Sequence, residues 1–144
     1  MIRRMQASDA GALADLALEL WPDHGREELA AEFEEFLQAE DAAVFGWQEG
    51  GCWEAFAQCQ LRRDYVEGCE TSPVGYLEGI YVREPLRGKG VARALLGQCQ
   101  AWAREKGCRE FASDCELSNE DSLRFHLATG FEEAGRIICF TKRL

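Results

Sequence analysis

Leu13, Leu16, Ala17 and Leu20 recur at the spacing of an amphipathic helix, behind Ser8-Asp9, residue types that favour helix starts. Trp21-Pro22 ends that run, and a short strand at Ile2 to Met5 precedes it. A second helix is predicted from Glu27 to Gln38, with Leu29, Phe33, Phe36 and Leu37 on one stripe and glutamates on the other. The period then falls to two. Ala42 to Trp47, the turn Gly50-Gly51 and Trp53 to Leu61 read as a hairpin whose second arm alternates Ala55, Ala57, Cys59 and Leu61 with Gln58 and Gln60. One face of that arm is therefore expected to be buried.

Asp64 to Pro73 is polar, contains Gly68, and reads as a loop before a strand at Val74 to Val82. Val91, Leu95, Leu96, Cys99 and Trp102 then mark a helix from about Gly90 to Lys106, with Gly107 as its stop. Arg109 to Cys115 is predicted as a strand, Ser118 to Thr129 as a short helix closed by Gly130, and Ile137 to Lys142 as a final strand. Helices and strands alternate in this half, so the fold class is mixed α/β with local parallel pairing. No repeat or linker interrupts the 144 residues, which are expected to form one domain, 1–144.

Charge narrows the partners. The formal net charge of −10 argues against nonspecific nucleic-acid binding, which needs an excess of lysine and arginine, and suits a cationic partner or mere solubility. No apolar run is long enough for a signal sequence or a membrane span, so the expected location is the cytoplasm, with no membrane partner. The 7 cysteines are scattered and odd in number, and read as reduced thiols. Cys59, Cys99 and Cys139 sit among apolar neighbours and are expected in the core. Two histidines and unspaced cysteines predict no metal site.

Against that acidic background, Arg83, Arg87, Lys89 and Arg93 gather around Arg87-Gly88-Lys89-Gly90-Val91-Ala92, between a strand and a helix. Glycines let a ligand approach the backbone, and the helix start offers unpaired N–H groups to an anion such as phosphate. The order is neither a P-loop nor a dinucleotide fingerprint. Glu78 lies inside an otherwise apolar strand, where an unpaired buried carboxylate is costly, so it must face water, a cation or a pocket. Asp114 ends the next strand, where ligands collect in α/β layers, although a turn or cap role would also place an aspartate there.

Arg87-x-x-Gly90-x-Ala92 resembles the pyrophosphate-binding signature of the GNAT superfamily of N-acetyltransferases, and Asn119, Ser122, Phe125 and Gly130-Phe131 resemble its second block. A narrower resemblance, to the aminoglycoside 6'-N-acetyltransferases, runs through Leu20-Trp21-Pro22, Asp64-Tyr65-Val66, Ser72-Pro73-Val74, Leu77-Glu78-Gly79-Ile80, Ala112-Ser113-Asp114 and Gly130-Phe131-Glu132. Close relatives often carry an acid two residues beyond Glu133, where this chain has Gly135.

The resemblance implies a GNAT-type acyl-CoA N-acyltransferase fold and a small homodimer that modifies an antibiotic. It implies acetyl-CoA as cosubstrate, wedged between two parallel strands and held by Ile80, Tyr81, Val82, Arg87, Gly88, Lys89, Gly90, Val91, Ala92, Asn119 and Phe125. It places Glu78 beside the reacting amine as a base, direct or through water, and Asp114 with it; a structural ion pair is the other reading of Glu78. Trp21 and Tyr65 are expected against the acceptor's sugar rings, or else in the core. His126 stands where many members have a tyrosine that protonates the departing thiolate; a purely structural histidine is the alternative. The reaction expected is direct attack of a neutral amine on the thioester, with backbone N–H groups near Gly79 to Val82 holding the developing oxyanion. Acceptors other than an aminoglycoside would be a polyamine or a protein amine, and a noncatalytic acyl-CoA sensor would keep the turn without turnover.

Overall fold

The computed structural model describes residues 1–144. Its framework is a five-stranded sheet in the order β1-β2-β3-β4-β5, formed by Ile2–Arg4, Ala42–Glu49, Cys52–Arg62, Val74–Val82 and Phe111–Ser113. The first four strands are antiparallel neighbours, and β5 runs parallel to β4. Helices α1 (Ala10–Leu20), α2 (Arg26–Gln38), α3 (Val91–Glu105) and α4 (Glu120–Ala128) complete the architecture, which is the mixed α/β class expected.

The alternating pattern of the strands sorts side chains onto two faces. Ala43, Ala57, Cys59 and Leu77 pack with Leu95, Leu96, Cys99 and Trp102 of α3 in one core. Val44 and Phe56 pack with Leu13, Leu16, Leu29 and Phe33 of α1 and α2 in the other. The sheet is thus the middle of three layers, and its apolar burial on both faces supplies the main driving force for folding.

Two irregularities shape β4 and its edge. The β3–β4 register pairs Gln58 with Gly79 and Cys59 with Leu77, so Glu78 is an extra residue in β4, a β-bulge. Bulges bend a strand and re-aim its side chains. The β4–β5 pairing covers Gly75 to Leu77 against Phe111 to Ser113 and then stops, while β4 continues to Val82.

Several expected boundaries shift. The strand expected over Arg109 to Cys115 shortens to β5, which pairs with β4 only from Gly75 to Leu77 and leaves it after Ser113, although β4 runs on. Asp9 does not cap α1: its carboxylate accepts the Gln6 N–H at 2.8 Å and faces the Arg3 guanidinium at 3.2 Å, closing a short 3-10 turn ahead of the helix. The strand expected at Ile137 to Lys142 is absent, since residues 131–144 leave the sheet and meet no neighbouring strand to pair with. A strand without a neighbour has no partner for its backbone groups, however suitable its side chains. For the same reason Cys139 is exposed rather than in the core, where Cys59, Cys99 and Cys108 are found.

Leu95 lies at the centre of the α3 layer with 0% of its surface exposed. Replacing it by alanine should cost about 2–5 kcal/mol of stability, measured as a lower denaturant midpoint with unchanged slope.

Candidate active site

The turn at the end of β4 is open on the ligand side. Gly88 and Gly90 have φ of 75° and 82°, a region that side chains with a Cβ rarely adopt, and nothing lies within 4 Å of where a Cβ would stand on either. Gly90 precedes α3 with no side chain capping its first N–H groups, so the start of a helix of 15 residues faces that space. Arg87 fixes the turn by donating Nε to the Val82 carbonyl at 2.7 Å, and its guanidinium lies 5.7 Å from the Tyr81 ring. Lys89 is exposed and makes no ion pair within the chain. Three of the four clustered cations have internal partners, but only Arg83 is neutralised by carboxylates, clamped between Glu19 at 2.7 Å and Glu54 at 3.2 Å; Arg87 and Arg93 donate to carbonyls, Arg93 to that of Ala128 at 2.9 Å. The local excess of positive charge is therefore smaller than the sequence suggests. Hydrogen bonding to Glu19 holds the Arg83 guanidinium well above its ordinary pKa, and the same bond lowers that of Glu19.

On the face that carries α1 and α2, a pocket of ≈ 390 Å³ is walled by Trp21, His24, Phe33, Phe36, Glu32 and Glu78 among others. The bulge puts Glu78 there. Arg62 grips its carboxylate with both ends of the guanidinium fork, Nη2 to Oε1 at 2.7 Å and Nε to Oε2 at 3.1 Å, and Gln60 donates to Oε2 as well. The bond to Glu78 raises the pKa of Arg62. Arg62 also stacks 3.4 Å over the Tyr76 ring, and the Tyr76 hydroxyl donates to Asp114. Burial, and then the bond to Asp114, push the Tyr76 phenol well above its usual range, so it remains a donor at neutral pH. Glu78 and Asp114 are thus tied into one network through Gln60, Arg62 and Tyr76, none of which the sequence pattern singled out. A charged pair held this way keeps both carboxylates aimed, at the cost of offering each a competing cation or donor.

Trp21 ends α1 and packs edge-on against Phe56; a Cβ added at Gly79 would stand 2.7 Å from its ring. The indole thus closes directly over the β4 backbone beside Glu78. Tyr65 is 78% exposed on the loop between β3 and β4, so the core alternative does not apply to it. That loop is fastened by Glu110, whose carboxylate accepts the N–H groups of Glu70 and Thr71 at 2.9 and 2.8 Å.

On the opposite face, Ile80 and Val82 pack toward α3, whereas the Tyr81 hydroxyl turns the other way to Glu19 at 3.1 Å. Val91 is buried against the same core, with Ala92 partly buried beside it. Asn119 caps α4 by accepting the Ser122 N–H at 3.1 Å, and Phe125 is half-buried against the α3 core, so both have structural work at their positions. His126 lies between Ser122 and Ser113, with Nδ1 2.7 Å from the Ser122 carbonyl and Nε2 2.8 Å from Ser113 Oγ. No three histidine, cysteine or carboxylate side chains come together as metal ligands.

The gap between two parallel strands, the glycine turn leading into a helix start and the carboxylate on the bulge are thus strung along one strand, β4. The acetyltransferase (GNAT) family matches residues 11–131, and the chain belongs to that family. It is 42% identical to the aminoglycoside N(6')-acetyltransferase type 1 of Salmonella typhimurium over 142 residues, 99% of this chain and 98% of that protein. Its identity to the enzyme of the same name from Stenotrophomonas maltophilia is 44% over 139 residues, 96% of this chain and 90% of that one. Among solved structures, the aminoglycoside N-acetyltransferase AAC(6')-Iy with CoA superposes with a TM-score of 0.96 at 42% identity, over 100% of this chain and 95% of that one. The same enzyme with the bisubstrate analogue CoA-S-monomethyl-acetylneamine gives 0.95 at 42%, over 100% and 98%. Both of those structures hold coenzyme A or an analogue that contains it.

Replacing Gly90 by valine should weaken acetyl-CoA binding at least about tenfold, because a β-branched residue resists positive φ and fills the open side of the turn. Titration calorimetry on a variant with an unchanged circular dichroism spectrum checks this.

Proposed function

We propose that residues 1–144 act as one N-acetyltransferase domain that moves the acetyl group of acetyl-CoA to the 6'-amine of an aminoglycoside. The observation that carries this reading is the position of Glu78: it lines an acidic, aromatic pocket on one face, on the same strand whose end leads into the open glycine turn. The names of the relatives, matched over nearly the whole chain, support the same acceptor. Trp21 in the pocket and Tyr65 on its exposed loop offer flat apolar surface to sugar rings, while Glu32 and Glu78 in the pocket and Asp114 beside Tyr76 offer charge to ammonium groups. Residues Arg87 to Ala92 would hold the pyrophosphate, with Ile80, Tyr81 and Val82 along the pantetheine arm and Asn119 and Phe125 shaping α4 beside it.

The chemistry assigned to the chain is modest. An aminoglycoside amine arrives protonated and must lose a proton before it attacks. Glu78 takes that proton, directly or through water, while the ion pair with Arg62 fixes its direction. Asp114, held by Tyr76, balances a neighbouring ammonium. Backbone N–H groups of β4 beyond the bulge stabilise the oxyanion, the larger electrostatic contribution in acyl transfer.

The working unit is a homodimer. Ile137, Ile138 and Phe140 are 78%, 81% and 88% exposed on a segment whose β-branched and aromatic residues suit a strand, and a second copy would give that segment the neighbour its own sheet does not. Ala134 of the same segment packs on Gly68, and a Cβ added at Gly135 would stand 3.7 Å from the Glu67 carboxylate, so the segment starts against the loop that carries Tyr65. The expected location is the cytoplasm, where acetyl-CoA and reduced thiols coexist; no helix is long and apolar enough to cross a membrane.

Three outcomes are expected. Free coenzyme A should be released with aminoglycosides and not with polyamines or peptides; release with the latter alone would reassign the acceptor, and release with none would leave a sensor. Glu78→Gln should lower kcat about ten- to a hundredfold, with recovery at higher pH as the amine deprotonates unaided, whereas Asp114→Asn should mainly raise KM. KM for a multiply charged aminoglycoside should rise with salt, since exposed charges are screened over about 8 Å at physiological ionic strength. A flat salt dependence would reduce the acidity to a solubility device.

A further inference from the structure

We propose that Ser113 delivers the proton to the departing thiolate, with His126 recharging it from behind. The inference rests on the acetyltransferase reading of this site and adds a residue to it.

Ser113 is the last residue of β5 and pairs with Leu77, the last β4 residue bonded to β5. Its hydroxyl lies 3.5 Å from the Leu77 carbonyl, at the point where the strands part. It is half-buried, on the α3 and α4 side of the sheet, whereas its neighbour Asp114 reaches Tyr76 on the pocket side. A thioester seated in the gap would therefore have different groups on its two flanks: carboxylates on the α1 and α2 side, a hydroxyl and an imidazole on the α3 and α4 side.

The histidine is oriented without ambiguity. A backbone carbonyl can only accept, so the short contact from Nδ1 to the Ser122 carbonyl requires the proton on Nδ1. Ser122 Oγ, 3.3 Å from the same nitrogen, is compatible with that assignment. Nε2 of the neutral ring then accepts the Ser113 O–H at 2.8 Å, and in the imidazolium the same contact reverses, with Nε2–H donating to Ser113 Oγ. Phe125 and Phe131 flank the ring, with centroids 5.7 and 5.0 Å away, and hold it in this pose. Because Nε2 points at Ser113, the imidazole reaches the gap between the strands through the serine hydroxyl. Ser113 is the catalytic residue, and His126 is its positioning and recharging partner.

The step balances. Nitrogen attack forms the C–N bond, the C–S bond breaks and sulfur keeps its electron pair. Ser113 Oγ–H gives its proton to sulfur, and protonated His126 returns one to the oxygen from Nε2. Neutral His126 is reprotonated by solvent, and the surplus amine proton leaves on the pocket side to Glu78 or water.

The decisive comparison is Ser113→Thr against Ser113→Val, side chains of one shape that differ in the hydroxyl. Single-turnover rates of acetyl transfer should be near wild type for threonine and about ten- to a hundredfold lower for valine, with coenzyme A affinity by calorimetry equal for the two. His126→Phe, which keeps the packed ring, should lose a similar factor, and the double variant with Ser113→Val should be no slower than the slower single. Equal rates for threonine and valine, or losses that multiply in the double variant, would overturn the relay while leaving the acetyltransferase reading intact. A wild-type protein that releases no coenzyme A with any amine would overturn both.

Discussion

The parting of β4 from β5 after Leu77 and Ser113 is the constraint on which the rest of the molecule depends. A parallel pair that continued to Val82 would satisfy its own backbone and leave no space for a ligand between the strands. Because β5 ends early, the far half of β4 keeps a free edge that leads into the glycine turn and the start of α3. The bulge at Glu78 adds the second condition by turning a carboxylate toward α1 and α2 just where the edge becomes free. Strand ends of open α/β layers collect ligands for this reason: backbone groups are left over there.

Around that gap the charges are divided by face. Glu78, Asp114 and Glu32 lie on the pocket side, with Arg62 and Tyr76 holding the first two in place. The glycine turn, the α3 start and the Ser113–His126 pair serve the other side. In the proposed reaction an amine must lose a proton and a sulfur must gain one, and the sheet keeps the groups assigned to these opposite needs apart. Glu19 contributes by neutralising Arg83, so that Arg87 and Lys89 remain the cations of the turn without tight ion pairs.

Most of this was legible where the signal is local. Glycines, a basic cluster in an acidic chain and an isolated glutamate in an apolar strand mark the turn and β4, and both stand where the pattern puts them. What escaped depends on register. Gln60 reads as a polar position of an alternating strand and Arg62 falls just past that strand's expected end, and only the bulge brings them against Glu78. Tyr76 meets Asp114 across 38 residues of sequence and Arg83 meets Glu19 across 64, distances at which spacing carries no information. Ser113 sits inside a motif that carries the family resemblance, yet its bond to His126 appears only once α4 is placed over β5. The final strand failed for the complementary reason: Ile137 to Lys142 has the right pattern, and a strand also needs a neighbour.

Amide hydrogen exchange with and without acetyl-CoA tests the central claim most directly, because it reports on the backbone groups said to hold the ligand. Protection gained at Gly88 to Arg93 and at Ile80 to Val82, with little change in β1 and β2, is the result expected if the ligand occupies the gap between β4 and β5. Saturating acetyl-CoA that leaves those amides exchanging as before, or protects another part of the sheet instead, would contradict it.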